Sequence, residues 1–259
     1  MRIRPDIDGL KTRLEALGAE SLNGSAERFG LGVEAVDRRL QGLARHALHD
    51  IYPASFGDAA AAQGFALGLA LRAEGKGALV WAVQEMADRE TGRIHGPGLH
   101  EWGLDPGRVV LVRVRETQAL LAAGEEALSS AGVDAVLLSA WGDAKAMTLT
   151  ASRRLSLMAA KGRATAILVR MGAEPQPSAA DSRWRVCTAP SQALEANAPG
   201  RPAFEVELMR RRGGAAAGPW SMEWARERGS FSLPSVSGGL VSLAGGRPAA
   251  AGDARRRYG

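Results

Sequence analysis

The sequence predicts an α/β fold, a mostly parallel sheet flanked by helices, with an antiparallel extension of the sheet toward the C-terminus. Three observations carry this expectation. Between residues 47 and 170, apolar runs of five or six residues alternate with amphipathic helical segments, the pattern of strands covered on both faces. A small-residue loop at residues 53–58 joins the first of these runs to a long alanine- and leucine-rich segment. After Glu174 the grammar changes, and Pro175, Pro177, Pro190, Pro199 and Pro202 punctuate shorter strands that suit a sheet edge.

In order along the chain, Asp8–Gly18 reads as a short helix with Leu10, Leu14 and Leu17 on one face. A glycine-containing segment follows, then a helix over Val33–Gly42. Ala47–Tyr52 is extended, Pro53–Gly57 is a loop and Ala59–Ala73 is a helix. Strands are expected at Gly77–Val83, Arg108–Val114, Val133–Leu138 and Thr165–Arg170, with helices at Gln118–Ala131 and Thr148–Ala160 between them. Gly92–Gly103 reads as a glycine-rich loop. Arg183–Thr188 and Ala203–Met209 are short strands expected to be antiparallel. From residue 235 the composition is Gly, Ala, Ser and Pro ending in Arg255-Arg256-Arg257, which predicts a disordered tail. The domain plan is an N-terminal helical segment over 1–45, a core over 46–212, a Trp/Arg segment over 213–234 and the basic tail over 235–259.

Composition narrows the function classes. The chain has 259 residues, 46% of them hydrophobic, enough for a sizeable buried core. A single cysteine, Cys187, excludes an internal disulfide framework and a multi-cysteine zinc site, and it suits a reducing cytoplasm. The charged start of the chain has no apolar signal region. The longest charge-free apolar stretch, near residues 59–71, is too short and glycine-interrupted for a membrane span. The expectation is a cytoplasmic protein with no membrane partner. The net charge of +5 comes from the C-terminal part: from Arg201 onward there are 10 arginines and 5 acidic residues. Such a basic region serves nucleic acid, an acidic protein or solubility.

The order Asp50-Ile51-Tyr52, small-residue loop, Gly57, long helix, Glu74-Gly75-Lys76 and strand is the layout of a phosphate-loop enzyme. In such enzymes loop N–H groups cradle phosphates, a lysine reaches the terminal phosphates and a Ser or Thr hydroxyl binds magnesium. Here Asp58 stands at the lysine place and Ala59 at the hydroxyl place. At ~4 Å and an effective dielectric of ~20, a like-charge pair costs about 4 kcal/mol, so Asp58 opposes phosphate binding. Its reading as the N-cap of the following helix is preferred.

The segment from about Ala47 to Arg170 resembles the ATPase core of RecA recombinases. The matching fragments are Ile51-Tyr52, Glu74-Gly75-Lys76, Gly124-Glu125-Glu126-Ala127-Leu128 and Val133-Asp134-Ala135-Val136-Leu137-Leu138. On that pattern the other catalytic places are also vacant. The strand that should end in the magnesium-holding carboxylate ends in Ser139, and the water-activating glutamate falls on Gln84, an amide that accepts no proton. Glu85 is adjacent, and a slip of one residue would restore a carboxylate there. The resemblance therefore implies a RecA-like core with a degenerate nucleotide site (Gly57, Asp58, Ala59, Gln84, Ser139), with no catalytic residue, bound cofactor or metal.

A further resemblance covers nearly the whole chain. Arg153-Arg154-Leu155-Ser156-Leu157, Ser178–Val186, Leu208–Gly214 and Pro219-Trp220-Ser221-Met222-Glu223-Trp224 are similar to the ImuA family, RecA-related (SulA-like) accessory proteins of damage-induced mutagenesis. The family implies a partnership with ImuB, a polymerase-like protein without polymerase activity, and with an error-prone DNA polymerase that copies past damage. RecA itself is a further expected partner of such an adaptor, and DNA is one because of the arginine surplus toward the C-terminus.

Other residues are weighed by their chemistry. His95 and His100, five apart without a helix, share no face for a metal. His46 and His49 read as structural, Cys187 as an inert buried thiol, and Trp184, between Arg183 and Arg185, as part of an edge strand. Trp220 and Trp224, with Arg210, Arg211 and Arg212, are the residue types of protein–protein hot spots and are the expected partner-binding set; the alternative is that the segment packs back onto the sheet. The expected function is a non-catalytic adaptor of translesion synthesis. The alternatives are a nucleic-acid-binding module without ATP turnover, and a divergent ATPase working through Glu85.

Overall fold

In a computed structural model the described residues are 27–73, 75–191 and 200–234. The helix expected at 8–18 and the tail from 235 lie outside them. The fold is α/β, built on one nine-stranded sheet. Its strands are β3 (Leu48–Pro53), β4 (Ala78–Gln84), β5 (Val109–Val114), β6 (Val133–Trp141), β7 (Thr165–Met171), β8 (Ser182–Thr188), β9 (Ala203–Arg211), β10 (Ala217–Ala225) and β11 (Ser230–Ser232). Their order across the sheet is β11-β10-β9-β8-β3-β7-β6-β4-β5. Strands β5 to β8 in that order are mutually parallel, and β9, β10 and β11 add antiparallel. A separate two-stranded sheet, β1 (Arg28–Phe29) with β2 (Leu43–Ala44), brackets helix α1 (Glu34–Leu40).

The central strands β4, β6 and β7 are largely apolar because both their faces are covered. Helix α2 (Ala59–Ala73) covers one face, where Leu79, Trp81, Val83, Leu137, Ile167 and Val169 point. Helices α5 (Thr117–Ser129) and α6 (Leu149–Gly162) cover the other, against Val80, Ala82, Val136, Leu138, Ala166 and Leu168. Period-two alternation thus feeds two cores from one strand, which is why the strands read as continuous hydrophobic runs. Helix α6 begins at Thr148, whose hydroxyl accepts from the Ala151 N–H at 3.1 Å. It ends against α5 so closely that a Cβ on Gly162 would lie 1.7 Å from the Leu128 carbonyl oxygen, so only glycine fits.

Helix α2 is buried on nearly every side. Its outer surface is closed by β9–β11 and by Trp102, with Gly64 facing Trp102 and Phe204, and Gly68 facing Phe231. Phe65 packs at 5.2 Å from Phe231 and 5.4 Å from Trp184 between ring centroids.

Three expectations are corrected here. Strand β8 is interior, parallel to β3 on one side and antiparallel to β9 on the other. Trp184 is consequently fully buried, its indole N–H donating to Ser182 Oγ at 2.9 Å. The 92–103 segment is not all loop: it holds helix α4 (Gly96–Glu101), after the short helix α3 (Glu85–Thr91). His95 caps α4, its Nδ1 accepting from the Gly98 N–H at 3.2 Å. Cys187 is half-buried rather than buried, because it sits on the more open face of β8, and partial burial raises its thiol pKa. Among the described residues, no helix is long and apolar enough to cross a membrane.

Candidate functional site

The loop after β3 emerges at the carboxyl ends of the parallel strands, the end at which open α/β sheets present ligand sites. Each position of the phosphate-loop pattern can be followed there. Ser55 leads into a single 3-10 turn, Phe56–Asp58, and α2 starts at Ala59, which is buried. Two N–H groups of this loop are bonded inside the protein. Ala54 N–H donates to the Val186 carbonyl at 2.8 Å and Asp58 N–H to the Ser55 carbonyl at 3.1 Å. Gly57 has ordinary backbone geometry, and a Cβ there would come no closer than 3.8 Å to Ser55 Oγ, so nothing in the loop demands a glycine.

Asp58 does not cap its own helix. Its Oδ1 accepts from the Thr188 N–H at 2.8 Å and its Oδ2 from the Ser55 hydroxyl at 2.5 Å, tying the loop to the end of β8. Desolvation works to raise its pKa, but these hydrogen bonds from Ser55 and Thr188 outweigh it and hold the carboxyl below its ordinary value. The groove beside the loop is lined by residues 53–56, 172–174 and Asp143. Its lining carries the carboxylates of Asp143 and Glu174 and no lysine or arginine. Phe56, largely exposed, stands edge-on to Trp141 at 5.4 Å across this mouth.

Ser139, at the metal-carboxylate place, is wholly buried. Its Oγ accepts from the Trp81 indole N–H at 2.9 Å and donates to Gln63 Oε1 at 3.0 Å. Gln63 Nε2 in turn donates to Thr91 Oγ1 at 2.6 Å, and Thr91 donates to the Ala87 carbonyl at 2.8 Å. The chain Trp81–Ser139–Gln63–Thr91 joins β4, β6, α2 and α3. Every link is a matched donor and acceptor, so the hydroxyl has a full structural occupation.

Gln84 is equally committed. Its Oε1 accepts from the Trp141 N–H at 2.8 Å, and its Nε2 donates to the Arg115 carbonyl and Thr117 Oγ1, both at 3.2 Å. The amide pins the ends of β4 and β6 to the start of α5, a task that needs a donor and an acceptor together. Glu85 is the first residue of α3 and turns outward, pairing with Arg115 at 3.4 Å and Arg89 at 3.8 Å.

A second polar cluster lies beside the loop, and sequence reasoning missed it. Asp50, inside β3 and fully buried, accepts a short hydrogen bond from Ser178 and lies 3.6 Å from the Arg183 guanidinium. Burial raises its pKa. Arg183 also donates to Ser178 Oγ at 3.0 Å, and both Arg183 and Arg170 lie over the Tyr52 ring. His49 bridges Ser182 Oγ at 2.7 Å and the Ala44 carbonyl at 2.9 Å. Residues 178–184, which carry part of the family resemblance, are thus the stitches between the 172–181 loop and β3. The signal available in the sequence was a charge, Asp50, inside an apolar strand.

The five residues expected to meet a partner separate. Trp224 belongs to the core: it stacks on Trp102 at 5.4 Å and its indole N–H donates to the Trp102 carbonyl at 3.0 Å. Trp220 is half-buried, packed at 6.3 Å from Trp184. Arg211 donates to the Leu40 and Gly42 carbonyls at the end of α1, and Arg210 to the Ala180 carbonyl at 3.0 Å. Arg212 is exposed. The segment therefore packs back onto the sheet as β10 and β11. No group of three or more His, Cys, Asp or Glu among the described residues is placed to hold a metal ion.

No protein-family model matches the chain. Protein ImuA of Caulobacter vibrioides, in two strains, is 36% identical over 194 residues, spanning 71% of this chain and 73% of the relative.

Proposed function

The chain belongs to the ImuA family, and from that premise we propose that it serves damage-induced mutagenesis as a non-catalytic adaptor. Its α/β body descends from a RecA-like phosphate-loop core and is kept for its surfaces. The single observation that supports this reading is that the residues at the expected nucleotide-site positions are bonded to the protein's own groups. Asp58 is bonded to Thr188 and Ser55, Ser139 to Trp81 and Gln63, and Gln84 to Trp141, Arg115 and Thr117. Drift would leave gaps or unpaired groups at these places, whereas each replacement here has partners of matching chemistry.

The partner in this proposal is an inactive polymerase-like protein of the ImuB type, linked to an error-prone polymerase. The outward groups Arg212 and Trp220 are the part of the expected partner-binding set left available to it, since Trp224 is in the core. This also dictates the test. Deleting everything from residue 210 would remove β10, β11 and the end of β9, so lost binding would report unfolding. The informative variants are Arg212→Glu, Trp220→Ala and removal of 235–259 alone, each assayed for co-purification with the polymerase-like partner. Weakened retention with unchanged melting supports the adaptor reading; full retention by all three removes this surface from it.

A further inference from the structure

The described arginines differ in what they bind. Several pair with carboxylates, such as Arg113 with Asp88 and Arg185 with Glu207. Another set donates only to backbone carbonyls. Arg28 reaches the Gly42 carbonyl at 3.2 Å, Arg211 reaches the same oxygen at 2.9 Å and also the Leu40 carbonyl, and Arg210 reaches the Ala180 carbonyl. A carbonyl satisfies the N–H groups but carries no net charge, so each guanidinium keeps its full positive charge.

These residues share one end of the molecule. Arg211 ends β9 and pairs in register with Ser182, the first residue of β8, so it lies at the amino ends of the parallel strands. Thr188, bonded to the phosphate loop, ends the same strand six residues on, about 20 Å away at the rise of a β-strand. Arg212 follows Arg211, and Arg39 precedes Leu40, whose carbonyl Arg211 caps. Arg39 and Arg212 are both exposed, with no side-chain bond among the described residues. Arg28 and Arg211 are held on one oxygen although they repel, and Asp181 is the carboxylate whose charge also reaches Arg211. The opposite end carries Asp143 and Glu174 at its groove.

We propose that Arg28, Arg39, Arg210, Arg211 and Arg212 form a docking surface for the sugar-phosphate backbone of DNA, at the end of the sheet away from the phosphate loop. The chemistry favours a polyphosphate over an acidic protein. Protein interfaces are built around exposed apolar anchors. The large apolar residues exposed among the described ones are Phe56, Met86, Val110, Leu149, Leu157 and Leu233, and none lies on β1, α1 or β9, which carry the cluster. Phe29, beside Arg28, is buried, so no ring is offered for stacking on bases. Guanidiniums without apolar or aromatic companions read phosphate and not sequence. This surface shares Arg212 with the set offered to the protein partner, whereas Arg28 and Arg39 belong to it alone.

The test is fluorescence anisotropy of the full-length chain with a labelled single strand and a labelled duplex of the same random sequence. Affinity for both is expected to fall with salt, with a log–log slope of roughly −3.5 to −4.5 if five phosphates are neutralised. Arg39→Glu with Arg212→Glu is the diagnostic pair, because it leaves the carbonyl bonds of Arg28, Arg210 and Arg211 in place. It is expected to weaken binding by about 10-fold or more at low salt, with an unchanged melting temperature. Arg153→Glu with Lys161→Glu, on the exposed side of α6, makes the same change in net charge and is expected to leave affinity within about 3-fold. Four outcomes would overturn the proposal: no binding of either DNA at low salt, an Arg39/Arg212 pair that binds like wild type, an equal loss in the α6 pair, or complete loss on changing only Arg255–Arg257 to Ala.

Discussion

Replacing Ser139 by alanine removes one oxygen from a fully buried chain of hydrogen bonds, and its cost can be worked from the partners. The hydroxyl's donation to Gln63 Oε1 is a neutral hydrogen bond, a net loss of about 1 kcal/mol. The larger loss is on the other side, where the Trp81 indole N–H is left buried without an acceptor, about 1–3 kcal/mol. The sum is about 2–4 kcal/mol, and at roughly 2–4 °C per kcal/mol for a domain of this size the melting temperature falls by about 4–16 °C. Urea and thermal unfolding followed by far-ultraviolet circular dichroism measure it. Adding Trp81→Phe closes a double-mutant cycle, in which a direct bond gives a coupling of about 1–3 kcal/mol. A Ser139→Ala cost below about 0.5 kcal/mol, or no coupling to Trp81, would refute the assignment of this hydroxyl to a structural network.

Three other outcomes follow from packing and titration. His49 is buried, and desolvation lowers its pKa below the ordinary histidine value, so the unfolded chain binds more protons as pH falls through about 6.5; stability therefore drops with falling pH in that range. His49→Gln is expected to flatten this dependence in urea titrations at pH 5 to 8, and an unchanged slope would show that His49 is not its source. Trp224→Ala opens the core at Trp102 and Phe231 and is expected to cost about 3–5 kcal/mol, whereas Arg212→Glu changes stability by less than about 0.5 kcal/mol. Gly68→Ala places a Cβ 2.4 Å from Phe231 Cζ and is expected to cost about 1–3 kcal/mol, read as a lowered urea midpoint.

The central strands were legible because burial on both faces leaves a plain mark, a continuous apolar run such as Val133–Leu138. The antiparallel end was less so. Strand β10 is interrupted by Gly218-Pro219 and a register shift between Ala217 and Trp220, and its tryptophans read as exposed anchors rather than as the lid over α2. Helix α4 was hidden by Gly96-Pro97-Gly98, residues that argue for a turn until His95 supplies the cap. For the proposed nucleotide site, the residues standing at the expected lysine, hydroxyl and carboxylate places could be read from the sequence. Their partners could not, because Ser139 meets Gln63 from 76 residues away and Asp58 meets Thr188 from 130. Which residue stands at a position is a local property of the chain; which partners it meets is a tertiary one.

Titration calorimetry with ATP, with and without magnesium, reads out whether the internally bonded site still takes a nucleotide. No saturable heat is expected in either condition, any residual affinity being weaker than about 1 mM. Saturable binding that is tighter than this and depends on magnesium would mean that Asp58, Ser139 and Gln84 yield their internal partners to a nucleotide, and would contradict this expectation.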